Sequence, residues 1–203
     1  MFHATNAYYA PDVTIRSRRL KTNTVSATAF RGFGGPQGIL AIERTLDAIA
    51  HATGRDPLDV RKANLYAPGR DVTPFGMTVA DTAWLAELIG DLEASSDYRK
   101  RRAAIAAYNA QGGTLRRGIA LIPVQFGISF TLAHMNQAGA LVHVYQDGSV
   151  LVNHGGTEMG QGLFVKVAQV VAEELGVPLD YVRPTATSTA MVPNASPTAA
   201  SAG

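Results

Sequence analysis

The apolar positions between residues 39 and 53 recur every three to four residues, which predicts an amphipathic helix. The charged residues Glu43, Arg44 and Asp47 fall off its apolar face. Gly54 follows at the place where a glycine commonly ends a helix. The residues that fall on the apolar face are Ile39, Ile42, Leu46, Ile49 and Ala50.

Further helices are predicted in the first half of the chain. Asp56-Pro57 supplies a cap and a first-turn proline, which together start a short helix. Residues 96–109 predict another helix, closed by Gly112-Gly113. Between them, residues 81–92 predict a helix whose buried stripe is Trp84, Leu85, Leu88 and Leu92.

The pattern changes to a strand-like one after residue 117. Residues that favour strands are frequent at 118–123 and 124–131. Apolar and polar positions alternate along residues 138–145 and 150–154. Asp147-Gly148 between the last two is a strong hairpin signal. Residues 163–175 then predict a helix that offers Val167, Val170, Val171 and Leu175 to the core. Residues 185–203 read by themselves as a linker.

These patterns predict an α+β protein in which a helical part is followed by a β-hairpin and helix unit. The change of pattern lies between residues 112 and 117. We therefore expect two parts, residues 1–114 and residues 115–203.

Composition narrows the class of protein. Of the 203 residues, 46% are hydrophobic and 17% charged, as in folded globular chains rather than disordered ones. The chain has no cysteine, which excludes disulfides and thiolate-bound metals, including an iron–sulfur cluster held by this chain. A cytoplasmic location is expected.

Charge gives little indication of a partner. The formal charge of +2 does not predict nucleic-acid binding, although the sequence pI is about 9.0. The basic run at residues 99–102 predicts a solvated helix face more than a phosphate-binding patch. No apolar run is long enough for a membrane span, and the first residues do not form a signal peptide.

Two glycine-rich segments carry the candidate chemistry: the first loop, residues 31–38, and the second loop, residues 155–162. Each leads into a predicted helix, whose first turn has unpaired N–H groups and a partial positive charge. Glycines also allow a ligand to approach the backbone closely. An anionic cofactor with a phosphate tail would suit both loops, but two tight turns into helices would look the same.

Familiar motifs do not fit these loops. Gln37 stands where a dinucleotide-binding fingerprint needs glycine or alanine, and Gln161 stands where a P-loop needs lysine. The five histidines have no zinc-binding spacing. Glu158, in the second loop, could be a general base or could brace the loop, and we favour bracing.

Several segments together resemble the xanthine dehydrogenase and aldehyde oxidase family. They occur in the family's order along nearly the whole chain. The segments are residues 29–38 (AFRGFGGPQG), 126–131 (FGISFT), 136–140 (NQAGA), 147–150 (DGSV), 154–162 (HGGTEMGQG), 193–194 (PN) and 196–201 (SPTAAS).

The resemblance implies a molybdenum-dependent hydroxylase that acts on purines such as xanthine or hypoxanthine and takes oxygen from water. Phe33 and Phe130 would grip the substrate ring, with Thr131 and Ala199 beside it. Arg31 and Ala200 would lie next to the molybdenum without coordinating it. The molybdopterin would be bound by Arg31, Met159, Gly160, Gln161, Ala200 and Ser201.

The resemblance also implies partners and missing parts. The general-base glutamate is expected beyond Gly203, and the [2Fe-2S] and FAD groups on other parts of the complex. The chain is therefore expected to be an internal fragment of the molybdenum subunit, inactive alone. An aldehyde oxidase-type enzyme and a truncated product without catalysis remain alternatives. Residues 162–166 (GLFVK) depart from the family's usual Gly-Leu-His-Thr-Lys.

Overall fold

The structure is a computed structural model that describes residues 3–26, 30–130, 132–191 and 195–199. It divides into two compact units, residues 1–126 and residues 127–203, which are described separately. Both helices and a small sheet are present, which confirms the α+β class. The predicted boundary at residues 114 and 115 stays a prediction.

The first unit is helical. Helices α1 (Gly35–Thr53), α2 (Pro57–Ala63), α3 (Ala83–Ser95) and α4 (Tyr98–Ala110) follow one another. Asp56 caps α2 by accepting a hydrogen bond from the Leu58 N–H at 2.8 Å, and Gly54 ends α1 at a φ of 65°. The core contains Tyr8, Leu46, Ala50, Leu58, Val60, Leu65, Ile89, Tyr98 and Leu121.

The stripe predicted for α3 was mostly wrong. The buried residue of α3 is Ile89, which is not in the predicted stripe. Leu85 is partly buried and packs against the core. The other three predicted residues are about half exposed: Trp84, Leu88 and Leu92. Periodicity identifies an apolar face, but only the neighbouring elements decide which part of that face is covered.

Glu43 falls off the apolar face of α1, as the sequence indicates, yet its carboxylate is buried beside α2. It accepts hydrogen bonds from the Tyr8 hydroxyl at 2.7 Å and from the Arg61 Nε at 2.6 Å. Asp47 also pairs with Arg61. Burial opposes the charge on Arg61, but its bonds to Glu43 and Asp47 outweigh burial and raise its pKa. A buried charge that is paired in this way is tolerated within a core.

The basic run at residues 99–102 lies on α4 and faces acidic side chains. Arg99 pairs with Asp59 and Glu93 at 2.5 Å, and Arg102 pairs with Asp56 at 2.5 Å. Arg99 and Arg102 of the run are therefore paired with carboxylates on the protein itself. Among the described residues, no helix has both the length and the hydropathy that crossing a bilayer requires.

The second unit packs one helix on a small sheet. The strands are β1 (Ala140–Val144), β2 (Val150–His154) and β3 (Val182–Pro184), with β2 in the centre, antiparallel to β1 and parallel to β3. Helix α5 (Leu163–Leu175) lies against β2 and β3. The core consists of Val150, Val152, Ala168, Ala172 and Val182.

The buried face of α5 differs in part from the prediction. Alanines 168 and 172 face the sheet, flanked by the partly buried Val167 and Val171, whereas Val170 is 61% exposed. All five residues of β1 are exposed, since α5 covers only the other two strands. The β-rich segments at 118–131 form no strand among their described residues.

Candidate functional site

The first loop holds its side chains away from the protein. Phe33, Gly32 and Gly34 all have positive φ angles, of 46°, 95° and 85°. Two turn bonds maintain this shape, from the Phe33 N–H to the carbonyl of Phe30 and from the Gly35 N–H to the carbonyl of Gly32. Arg31 and Phe33 are exposed, and a Cβ added at Gly34 would meet only open space. The loop thus presents a cation and an aromatic ring on accessible backbone.

The base of the first loop is supported by residues that are distant in sequence. A Cβ at Gly35 would lie 2.4 Å from Cε2 of Phe126, so only glycine fits beneath this ring. Phe126 also stacks on His3, with ring centroids 4.5 Å apart. Asn6 fixes the segment before Phe126, because it donates to the Pro123 carbonyl and accepts from the Gln125 N–H, both at 2.8 Å.

The second loop is braced by Glu158. One carboxylate oxygen accepts from the N–H groups of Gly160 at 2.8 Å and Gly162 at 3.1 Å, and the other accepts from Phe164 at 3.4 Å. Desolvation opposes ionisation, but these backbone bonds outweigh it and hold the pKa of the Glu158 carboxyl below its usual range. This geometry is the bracing role favoured from the sequence. It also occupies the positive end of α5, where an anion was expected.

Gln161 and His154 also bond within the second loop. Gln161 accepts from the Met159 N–H at 2.6 Å and donates to the Thr157 carbonyl at 2.8 Å. His154 Nδ1 accepts from the Gly156 N–H at 3.1 Å, and burial lowers the pKa of the His154 ring. What the loop leaves open is the backbone around Gly160, where an added Cβ would meet nothing.

A chain of hydrogen bonds joins three parts of the second unit. The Asn136 side chain bonds both backbone groups of Phe130, at 2.7 Å each. The next residue, Gln137, exchanges two bonds with Ser196, at 2.9 and 3.1 Å. The Thr198 hydroxyl accepts from the Thr157 N–H of the second loop at 2.8 Å. Phe130, the segment at 195–199 and the second loop are thereby linked.

The predicted site residues thus fall into three groups. Arg31 and Phe33 lie together on the first loop. A second group lies on segments that the hydrogen bonds of the second unit link, and it consists of Phe130, Met159, Gly160, Gln161 and Ala199. Thr131, Ala200 and Ser201 lie outside the described residues, and the roles predicted for all of these residues stay predictions.

The fit to a molybdopterin can be tested on the loops themselves. The first loop fits such a group, since Arg31 offers several hydrogen-bond donors and the glycines permit close approach. The second loop leaves space for a cofactor beside Gly160, where an added Cβ would meet nothing. Its N–H groups at Met159 and Gly160 are already bonded to Gln161 and Glu158. In the part of the chain that the structure describes, no group of three or more His, Cys, Asp or Glu side chains could hold a metal ion.

Sequence reasoning missed the two asparagines that hold these segments. No role is predicted for Asn6 from the sequence, and Asn136 belongs only to the 136–140 segment of the family resemblance. An asparagine pairs with a backbone N–H and C=O as another peptide would, so it fits irregular segments that lack a strand partner. An asparagine beside an apolar segment without regular period is the signal that could have indicated either role.

Two family models match the chain, and both are described as molybdopterin cofactor-binding domain. One matches residues 1–65 and the other residues 91–203, which is more than half of the chain. The glycine-rich loops lie one in each matched region.

The chain is also similar to several curated proteins. It is 48% identical over 202 residues to nicotinate hydroxylase of Emericella nidulans, covering 99% of this chain and 15% of that protein. It is 48% identical over 201 residues to xanthine dehydrogenase/oxidase of Gallus gallus, with coverages of 99% and 15%. The chain thus spans about 15% of the length of these relatives.

Solved structures agree with this pattern. Aldehyde oxidoreductase from Desulfovibrio gigas matches with a TM-score of 0.62 and 26% identity, covering 85% of this chain and 18% of that one. Quinoline 2-oxidoreductase from Pseudomonas putida 86 matches with a TM-score of 0.61 and 24% identity, covering 82% and 22%. The second likeness shows the fold alone.

Proposed function

We propose, because this chain belongs to the xanthine dehydrogenase family of molybdopterin-binding oxidoreductases, that it forms one wall of the active site of a molybdenum hydroxylase. The observation that carries the proposal is the first loop, which holds Arg31 and Phe33 exposed on a backbone of positive φ angles. Phe33 is a non-glycine residue with a φ of 46°, and such strained conformations cluster at ligand-binding sites.

The residues of the first loop would divide the work of binding. Arg31 is a permanent cation with several fixed donors, which suits oxygen atoms beside a metal or on a pterin. Phe33 offers a ring face to a flat heterocycle, and Phe130 would contact the same ring at its edge. Thr131 and Ala199 would line the substrate, and Ala200 would lie beside the metal. Met159, Gly160, Gln161 and Ser201 would hold the molybdopterin.

When bound, the molybdenum cofactor would supply the two-electron oxidation that replaces a C–H bond of the substrate by C–OH, with the oxygen taken from water. The chain's own residues would orient the ring and exclude solvent around it. The general base, the [2Fe-2S] cluster and the FAD would be contributed by other parts of the complex. A cytoplasmic setting belongs to the same proposal.

A purine such as xanthine or hypoxanthine is the proposed substrate, because two aromatic side chains suit a flat nitrogen heterocycle. Nicotinate is a second candidate, since a relative named nicotinate hydroxylase is as similar as a xanthine dehydrogenase. An aldehyde is a third. Turnover of xanthine, nicotinate and an aldehyde by the holoenzyme that contains this chain would distinguish them, and labelled water would identify the oxygen source.

Replacing Phe33 in that holoenzyme tests the site itself. Phe33→Ala should lower kcat/KM by about tenfold, the effect of losing roughly 1.4 kcal/mol of aromatic contact. Phe30→Ala is the matched control, because Phe30 is also an exposed phenylalanine, next to the same loop, and its replacement should leave kcat/KM within about twofold.

Two outcomes would contradict the proposal. One is an unchanged kcat/KM for Phe33→Ala, and the other is an equal loss for both variants. The unfolding midpoint of each variant should match that of the parent, which separates a binding effect from a folding effect.

A further inference from the structure

The Asn136 side chain pairs with the backbone of Phe130 at two points. Its Oδ1 accepts from the Phe130 N–H and its Nδ2 donates to the Phe130 carbonyl, both at 2.7 Å. Only one orientation of the amide satisfies both bonds, so the pairing fixes the backbone of Phe130 in both position and direction. Phe130 is half-buried, in a stretch where the described residues form no strand.

The backbone next to Phe130 has an unusual conformation. The residue before it, Ser129, has a φ of 72°, a conformation that a non-glycine residue keeps only when its neighbours enforce it. A turn of 3₁₀ helix at Ala133–Met135 leads directly to Asn136 and brings its side chain back to Phe130. The Asn136 side chain thus ties the end of this turn to Phe130 through two hydrogen bonds.

Asn136 is also connected to the rest of the site. Gln137 is bonded to Ser196, and Thr198 in the same segment is bonded to Thr157 of the second loop. A displacement of Asn136 would therefore separate Phe130 from the segment that carries Ala199.

We infer that Asn136 is a positioning residue, which sets the place of the Phe130 ring against the substrate. The inference rests on the proposed function, in which Phe130 contacts the substrate ring. Asn136 itself touches only the backbone of Phe130. It therefore acts through the aromatic side chain and not on the reacting atoms.

The chain contains a matched control for this inference. Asn109 makes the same two-point pairing with the backbone of Arg117, at 2.9 and 3.0 Å, on the exposed end of α4 in the first unit. Asn136→Ala and Asn109→Ala therefore remove the same pair of bonds. The residue that is held belongs to the proposed site in the first case and not in the second.

The first measurement is independent of activity. In the full chain, 4-fluorophenylalanine at position 130 should give one fluorine resonance, which shifts or broadens in Asn136→Ala and is unchanged in Asn109→Ala. Asn136→Asp, which keeps the acceptor for the Phe130 N–H but loses the donor, should give an intermediate change. It also serves as the second variant if Asn136→Ala does not fold. An unchanged resonance in Asn136→Ala, or in Asn136→Asp if that variant replaces it, would overturn the inference.

The second measurement uses the holoenzyme. Asn136→Ala should lower kcat/KM by roughly ten- to a hundredfold, as a small misplacement of a positioning group does, and Asn109→Ala should change it by less than about twofold. Equal losses in the two variants would overturn the inference, since they would indicate a general effect on folding. Phe130→Ala separates the premises: an unchanged kcat/KM in that variant would contradict the proposed function, while the fluorine resonance would still decide whether Asn136 positions the ring.

Discussion

The two glycine-rich loops are held in their conformations by different kinds of support. The first loop is supported by residues outside it. The Phe126 ring packs against Gly35, and Asn6 holds the segment that carries Phe126. The second loop is held from within, by Glu158 and Gln161 bonding its own backbone. The first therefore exposes its cation and ring, whereas the second exposes mainly its backbone.

This difference indicates what each loop can offer a ligand. A loop braced by its own polar side chains has few of them left for binding, so its ligand contacts must come from open backbone. A loop braced from beneath keeps its side chains available. The sequence indicates an anion site at the N-terminus of α5, beside the second loop. The Glu158 carboxylate already occupies this position.

The largest expected effect comes from the buried ion pair between Glu43 of α1 and Arg61 of α2. Arg61→Ala would leave Glu43 in the core without its charge partner, which should lower the free energy of unfolding by about 3–5 kcal/mol. Urea unfolding of the chain measures this loss. Arg44→Ala, an exposed arginine on α1, is the control and should change stability by less than about 0.5 kcal/mol. Similar losses in the two variants would show that the first loop's helix does not depend on the buried pair.

A smaller effect should separate the bases of the two loops. Gly35→Ala places a Cβ 2.4 Å from the rigid ring of Phe126, and should cost about 1–3 kcal/mol of unfolding free energy, as overpacking does. Gly156→Ala places a Cβ 2.5 Å from the end of the flexible Leu163 side chain, which can turn away, so its cost should be lower.

The double variant Gly35→Ala with Phe126→Ala provides the internal check. The added methyl group should be tolerated once the ring is gone, so the two changes should be strongly non-additive in urea unfolding. Additive losses would mean that Phe126 does not support the first loop.

The smallest effect concerns the second loop and depends on pH. The pKa of the folded Glu158 carboxyl lies below its ordinary value of 4.5. Its contribution to stability should therefore be complete above that value and be lost as the pH falls through the lower, folded pKa. The difference in urea unfolding between the parent and Glu158→Gln should shrink on acidification. A difference that is constant with pH would contradict the bracing role.

The sequence by itself determined the elements with strong local signals. The period of α1, the cap of α2, the Asp147-Gly148 hairpin and the glycine stops are local properties of the chain, and the structure has each of them. Family membership could likewise be read from short segments in register.

Only the tertiary structure decided which faces are covered and which polar groups meet. Glu43 lies off the apolar stripe of α1, yet it is buried because Arg61, Tyr8 and Asn6 converge on it from other segments. Ala168 and Ala172 rather than Val170 face the sheet, since small residues allow α5 to approach β2 closely. The pairing of Asn136 with Phe130 belongs to the same class, because an asparagine's partner depends on how the chain is brought back on itself and not on the residues beside it.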